Sequence, residues 1–559
     1  MEENNNLEQN VQEENVSVVN EKVEEPVVAT ETKKEPTKKS NKTPIIILLV
    51  LFAVACGVFC YLMFGNKDDK KKEDKKDEET TTIEGSSSVK KNDYVINSNS
   101  LEAFDLFFLK TENNKTNMIY SPLSIKYALE MLETGANGDS KDQILSVIGS
   151  YKARKYENSA NMAFANALFV NSNAKDAIKE EYVNNLKTNF GAEVVYDSFN
   201  ATDAINAWIN NHTLSLIPNG VDSVDPEIMY ILVNALGIDM EWVNVIQPKT
   251  NSWFVRYPNE NFGHYVGALN SSGYRQLDFD ENQKVKTSWI GAALNNYDII
   301  SDLGEDKIKE TLGNAYQKWI DEGGYEQCGK TWPEKEEYLN QNFATYLEEL
   351  GKGYGQASAS TDFMLYVDDN TKVFAKDLKE YNGVTLQYVG IMPTNVSLDS
   401  YIENVTAEDL NKLISNLKEV KLENFKDGVI TKIEGFIPLF NFDYQLNLKE
   451  DLEKLGITDV FDMEKADLSN ISDNKSYISD ASHKANIEFS NEGIKAAAVT
   501  TMGGSGAADC GFYYNFDVPV EEIDLSFDKP YMFIIRDKAT GEVWFAGTVY
   551  EPTKYESMY

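Results

Sequence analysis

Between Pro44 and Gly65 runs PIIILLVLFAVACGVFCYLMFG, an apolar stretch without a charge. About 20 such residues let a helix cross a bilayer. The run therefore splits the chain into a short lead and a much longer remainder. Residues 1–43 are polar, rich in Glu, Asn, Val and Lys, and show no hydrophobic period, which predicts a disordered tail. A lead that long and hydrophilic makes 44–65 an uncleaved transmembrane helix rather than a signal peptide. Cys56 and Cys60 then sit in it as small apolar residues. Residues 66–97, beginning NKDDKKKEDKKDEE, read as a charged flexible linker. Lysines flank both ends of the apolar run, so the positive-inside rule leaves its orientation open. The short tail inside and the large remainder outside the cell is the expected arrangement, a single-pass protein of the cell membrane.

Beyond the linker the chain has ample aromatic residues for a core. The formal charge of the whole chain is −37, which sets it against a phosphate backbone and excludes nucleic acid as a main partner. KARK at 152–155 is too small a basic patch for a polyanion site. The four cysteines, Cys56, Cys60, Cys328 and Cys510, have neither zinc spacing nor a disulfide framework, so no metal is expected. The three histidines, His212, His264 and His483, fall in no catalytic pattern. No phosphate loop and no nucleophile elbow occurs. These absences argue against an enzyme, and no cofactor is expected.

Local signals begin at Ser121, an N-cap followed by Pro122 at the first helical position. Ile125, Ala128, Leu129 and Leu132 share one face of that helix, and Gly135 closes it. Ser140 and Gln143 read as a capping box for a second helix. Strand-like runs come next at 230–238, 385–393, 429–442 and 483–490. The chain then closes on YMFIIRDKATGEVWFAGTVY, a hairpin turning at Thr540 and Gly541. Helices come mainly first and strands mainly later, which predicts an α+β fold.

Several of these segments, in order, resemble the serpin family. They are MIYSPLSIKYALEMLETGANGDSKDQIL, ANALFVN, INAWINNHT, ILVNALGIDMEW, FIPLFNFDYQLNLKEDLEKLGITDVFD, HKANIEFSNEGIKAAAVT and FDKPYMFIIRDKATGEVWFAGTVYEP. The resemblance implies a serpin domain over 98–559, with three β-sheets, eight or nine helices and an exposed reactive loop. It implies inhibition of a serine protease by suicide-substrate trapping: the loop is cleaved and then inserts into the main sheet of a metastable native state. It implies a hinge at Glu492, Gly493, Ile494, Ala496, Ala497 and Ala498. It implies a shutter of Ser121, Ser124, Asn234 and His483, and a breach tryptophan, Trp242. Counting from Gly493 places the reactive bond at Ala507–Ala508, within the window Gly506 to Cys510. Ala507 suits an elastase-like or subtilisin-like serine protease with a small specificity pocket. A monomer, of bacterial origin by its Lys-, Asn- and Glu-rich texture, is expected.

The residues themselves bear on insertion. Strand side chains alternate between faces. From Gly493 onward, one face would hold Ile494, Ala496, Ala498, Thr500, Met502, Gly504 and Gly506, all uncharged and mostly small. The only charge, Lys495, falls on the other face. The stretch also departs from the family pattern. Ile494 is larger than the usual Thr or Ser, Asn491 stands where Glu is common, and glycines at 503, 504 and 506 weaken a strand. The distance from Gly493 to Pro530 is longer than typical. A non-inhibitory serpin-fold binding or adhesion module is the alternative these departures favour. A long insertion at about 255–362, with a helix hinted by Leu303, Ile308, Leu312 and Tyr316, reads as surface decoration or as a docking surface.

Overall fold

The computed structural model describes residues 93–246, 274–276, 284–323, 331–351, 362–479, 481–494 and, with gaps, 512–554. The tail, the Pro44–Gly65 run and residues 66–92 of the linker lie outside them, whereas residues 93–97 belong to the folded domain: Ile96 is buried, its N–H donates to Val147 O and its carbonyl accepts the N–H of Ser150. Among the described residues no helix is long and apolar enough to cross a membrane.

The core is built on a seven-stranded sheet. Its order is Met118–Tyr120, Val543–Val549, Tyr531–Asp537, Leu386–Pro393, Thr371–Asp377, Phe363–Val367, Lys418–Glu419. The two C-terminal strands form the predicted hairpin, and Gly541 adopts φ +80 in its turn, a conformation that suits glycine. Every residue of Leu386–Pro393 and Val543–Val549 is buried, which explains their near-continuous apolar character. Helix Pro122–Gly135 starts as predicted: Ser121 Oγ accepts the backbone N–H of Ser124, and Pro122 occupies the first turn. The helix is held from beneath by a fully buried pair, Lys126 Nζ to Asp105 Oδ1 at 2.6 Å. Asp105 belongs to helix Ala103–Glu112, so the pair ties the two helices together.

The next helix, Gly138–Ile148, begins earlier than Ser140. The expected capping box is absent, and both of its residues cap other segments instead. Ser140 Oγ accepts the N–H of Asp467, and Gln143 Oε1 accepts those of Thr458 and Asp459. The 429–442 run is likewise two strands, Ile430–Pro438 and Phe440–Asn447, in different sheets. Pro438 cannot donate to a ladder, and the chain switches sheets just after it.

Among the described residues four hydrogen-bonded sheets result where three were expected. One is Val520–Asp524, Ile430–Pro438, Lys284–Asn295, Tyr274–Gln276. The other two are halves of one divided layer: Phe440–Asn447, Ser482–Phe489, Gly493–Ile494, Met240–Glu241 on one side, and Glu193–Asp197, Met162–Asn171, Tyr230–Ile238 on the other. The extra sheet arises because Tyr230–Ile238 and Ser482–Phe489 face each other across a slot without pairing. Within the long insertion, Lys284–Asn295 is an integral strand, paired along its length with Ile430–Pro438. The helices Ile299–Leu303, Glu305–Asp321 and Lys335–Gly351 come after it, in addition to eight α-helices elsewhere in the described residues.

Candidate functional site

The top of the slot is a short turn locked from all sides. Ser490 N donates to Gly493 O at 3.0 Å, and Ser490 Oγ accepts the N–H groups of Glu492 and Gly493 at 3.3 and 3.2 Å. Trp242, buried, clamps the same turn. Its indole Nε1 donates to Ser490 O at 3.0 Å and its backbone N donates to Glu492 O at 2.9 Å. Its ring packs edge-on to Phe489 at 5.4 Å and to Tyr388 at 6.1 Å. Asn491 bridges outward: its carbonyl accepts the N–H of Ile246, and its Oδ1 accepts the hydroxyl of Ser288. The Asn departure from the family pattern therefore has a partner of its own, on strand Lys284–Asn295. Sequence reasoning missed Ser490, Tyr388 and Phe489. Only the polar SNEG turn before an alanine run hinted at the first.

After the turn, Gly493 and Ile494 form a two-residue strand between the strands on either side. Ile494 is antiparallel to both neighbours, opposite Phe489 on one and Met240 on the other. A side chain at Gly493 would put its Cβ 2.1 Å from the Met240 carbonyl oxygen, so only glycine fits this close approach. Ile494 is buried, on the face that strand parity assigns to the interior. Its bulk is accommodated in the main core beside Phe489 and Met240. Glu492, Gly493, Ile494 and Trp242 are thus brought together. Ala496, Ala497, Ala498, Ala507, Ala508 and Cys510 lie outside the described residues.

Below this turn the slot holds a cavity of about 250 Å³, lined among others by Ser121, Ser124, Tyr230, Asn234, Ile478 and His483. Tyr230–Ile238 pairs along one edge with Met162–Asn171, and Ser482–Phe489 along one edge with Phe440–Asn447. Their facing edges do not pair with each other. All four residues expected at a shutter line this slot. His483 Nε2 accepts the backbone N–H of Ser121 at 2.9 Å, so the proton of the neutral ring resides on Nδ1. Burial of the imidazole lowers its pKa to about 4. Across the slot, Asn234 Nδ2 donates to Asn166 Oδ1 at 2.8 Å, while its own Oδ1 is buried and accepts no hydrogen bond among the described residues. Among the described residues the slot thus offers unpaired strand edges on both walls and an unmet acceptor at mid-height.

A divided main sheet, a turn clamped by tryptophan at the head of the division, and a buried C-terminal hairpin define a class of fold in which one layer has room for a further strand. The chain belongs to the serpin family: the family model described as serpin (serine protease inhibitor) matches residues 97–254 and 353–552. Members of this family are generally protease inhibitors rather than enzymes. Among curated relatives, neuroserpin of Gallus gallus is 23% identical over 79% of this chain and 88% of its own length. An uncharacterized serpin-like protein of the archaeon Methanosarcina acetivorans is 24% identical over 85% and 89%. Human glia-derived nexin is 25% identical over 78% and 88%. Among solved structures, the thermophilic serpin tengpin in its native state superposes with a TM-score of 0.52, at 20% identity, covering 88% of this chain and 98% of that one. Thyroxine-binding globulin in complex with thyroxine gives 0.51 at 18% identity, covering 81% and 99%. At these identities the structural matches establish the fold.

Proposed function

We propose that this protein is a serine-protease inhibitor that traps its target by inserting its cleaved loop into the slot between Tyr230–Ile238 and Ser482–Phe489. The carrying observation is the register of Gly493–Ile494. Ile494 already lies opposite Phe489 and Met240, pointing its chain down the slot. If both pairings are carried on without a bulge, Ala496 comes opposite Ile487 and Ala498 opposite Ala485, both buried. Lys495 comes beside Glu488 on the other face. Thr500 then arrives opposite His483 on one wall and Asn234 on the other. Its hydroxyl would supply the donor that Asn234 Oδ1 lacks. The small uncharged face of the loop and the buried face of the strand it would join therefore match position by position.

The bait in this reading is Ala507–Ala508, and the target a serine protease with a small specificity pocket. The Pro44–Gly65 run anchors the protein to the cell membrane, with the serpin domain outside, in a bacterium. Mixing the purified protein with elastase and running a denaturing gel tests the trap. A complex that survives denaturation is the expected outcome. Clean cleavage with no complex and no gain in thermal stability overturns it. That result would favour the second reading, a non-inhibitory binding module. The glycines at 503, 504 and 506 support the second reading, and the thyroxine complex formed by one structural relative is a precedent for ligand binding on this fold.

A further inference from the structure

The three-helix insert after Lys284–Asn295 packs against the chain just beyond the bait. That chain reads FYYNF from Phe512 to Phe516, four aromatic residues within a few positions of Ala507–Ala508. In an extended loop these residues would be good substrates for any protease with a large apolar specificity pocket. The described ones are seated on the insert. The Phe512 ring stands edge-on to Tyr316 at 5.2 Å and to Tyr338 at 5.7 Å, and tilted against Trp319 at 5.7 Å. Tyr316 and Tyr338 stack on each other at 3.9 Å, joining helices Glu305–Asp321 and Lys335–Gly351 into one floor. Tyr346 donates its hydroxyl to the Tyr514 carbonyl at 2.6 Å. Phe516 is buried among Trp289, Ile299, Ile308 and Leu350. Much of the insert, 255–352, is passed over by the family match.

We propose that the insert determines which proteases can use the loop, by withholding Phe512, Tyr514 and Phe516 from enzymes with a large apolar specificity pocket. Cleavage after an aromatic residue requires its ring in the enzyme's pocket and its carbonyl in the oxyanion hole. Here the Phe512 ring is held by three aromatic side chains, and the Tyr514 carbonyl is occupied by Tyr346. A chymotrypsin-like enzyme must first pull the run off the insert, and its rate then tracks the population of that opened form. An enzyme that accepts alanine at Ala507 needs none of Phe512, Tyr514 and Phe516 in its pocket. The inference rests on the bait lying near Ala507, but not on the trap being functional.

Chymotrypsin is the probe, and the full chain the substrate, with cut sites mapped by intact mass. Ala507→Phe places an aromatic residue in the bait and reports how readily the enzyme reaches the loop. Cleavage of the wild type within 512–516 is expected to be at least about tenfold slower than cleavage at position 507 of that variant. Trp319→Ala combined with Tyr346→Phe should speed cleavage within 512–516 by about tenfold and leave the rate at position 507 unchanged. Tyr346→Phe alone, which removes one hydroxyl and keeps the packing, should move the rate in the same direction. Wild-type cleavage at Phe512 or Tyr514 as fast as at position 507 overturns the proposal. So do variants that cut no faster there. Failure to trap elastase would sink the inhibitor reading and leave these rates as they stand.

Discussion

His483 takes the backbone N–H of Ser121 on its Nε2 at 2.9 Å, joining the strand on one wall of the slot to the cap of the helix beneath it. That bond exists only while Nε2 carries a lone pair. Burial holds the imidazole pKa at about 4, against 6.5 for an unperturbed histidine. Between those two values the unfolded chain binds more protons than the folded one. This side chain's contribution to stability is therefore intact above pH 6.5, declines as the pH falls, and levels off near pH 4. The full loss is on the order of 3 kcal/mol. Melting curves from pH 7 to pH 4.5 should show that decline. His483→Ala should be less stable at pH 7 and flatter across the window, while the rate of encounter with protease stays unchanged. Equal pH slopes in the two proteins would remove His483 from the account.

Trp242 holds the Ser490–Gly493 turn through two donors and through its packing on Phe489 and Tyr388. Trp242→Phe keeps most of the ring contact and leaves the Ser490 carbonyl without its indole donor, costing about 1 kcal/mol. Trp242→Ala also opens a cavity and should cost about 3–5 kcal/mol. Thermal unfolding separates the two. If both variants melt together, the indole hydrogen bond rather than the packing fixes the turn.

Gly493→Ala tests the closest backbone approach in the site. Its added methyl would meet the Met240 carbonyl oxygen at 2.1 Å, so the short strand must leave its place or Met240–Glu241 must shift. Overpacking of this kind costs about 1–3 kcal/mol. The expected readouts are a lower melting temperature and a larger fraction of protein cleaved without trapping elastase. A variant indistinguishable from the wild type in both would show that the Gly493–Ile494 pairing is not needed.

Much of this site was legible because it depends on short-range sequence. Ser121 and Pro122 announce a helix start whatever surrounds them, and the alternation after Gly493 exposes a buried and a wet face before any partner strand is known. Resemblance picked out Trp242 and His483, whose neighbours lie hundreds of positions away. What escaped was set by tertiary competition. Ser140 and Gln143 have the spacing of a capping box, yet their polar atoms are drawn to Asp467, Thr458 and Asp459. Ile430–Pro438 and Phe440–Asn447 read as one apolar run, because periodicity does not reveal which sheet each half joins. The seat for Phe512 was invisible, since its floor comes from two helices of an insertion with no family pattern to read it by.

The alternation itself provides the sharpest test, because it assigns opposite outcomes to residues a few positions apart. Thr500 and Lys495 both belong to the segment proposed to enter the slot. Thr500 is set to arrive between His483 and Asn234, where a long cation would be buried without a partner. Lys495 is set to arrive beside Glu488, facing solvent. Thr500→Arg should therefore block insertion: elastase would cleave the loop, no stable complex would form, and the cleaved protein would not melt at higher temperature. Burying an unpaired charge costs several kcal/mol, enough to remove the advantage of the inserted strand. Lys495→Glu places a like charge beside Glu488 and Asp239 on a partly exposed face, where the penalty is about 1 kcal/mol. It should still trap. If Lys495→Glu fails while Thr500→Arg inserts, the register continued from Ile494 is off by one residue, and the faces are reversed. If both variants trap as the wild type does, the segment does not enter the slot as a strand.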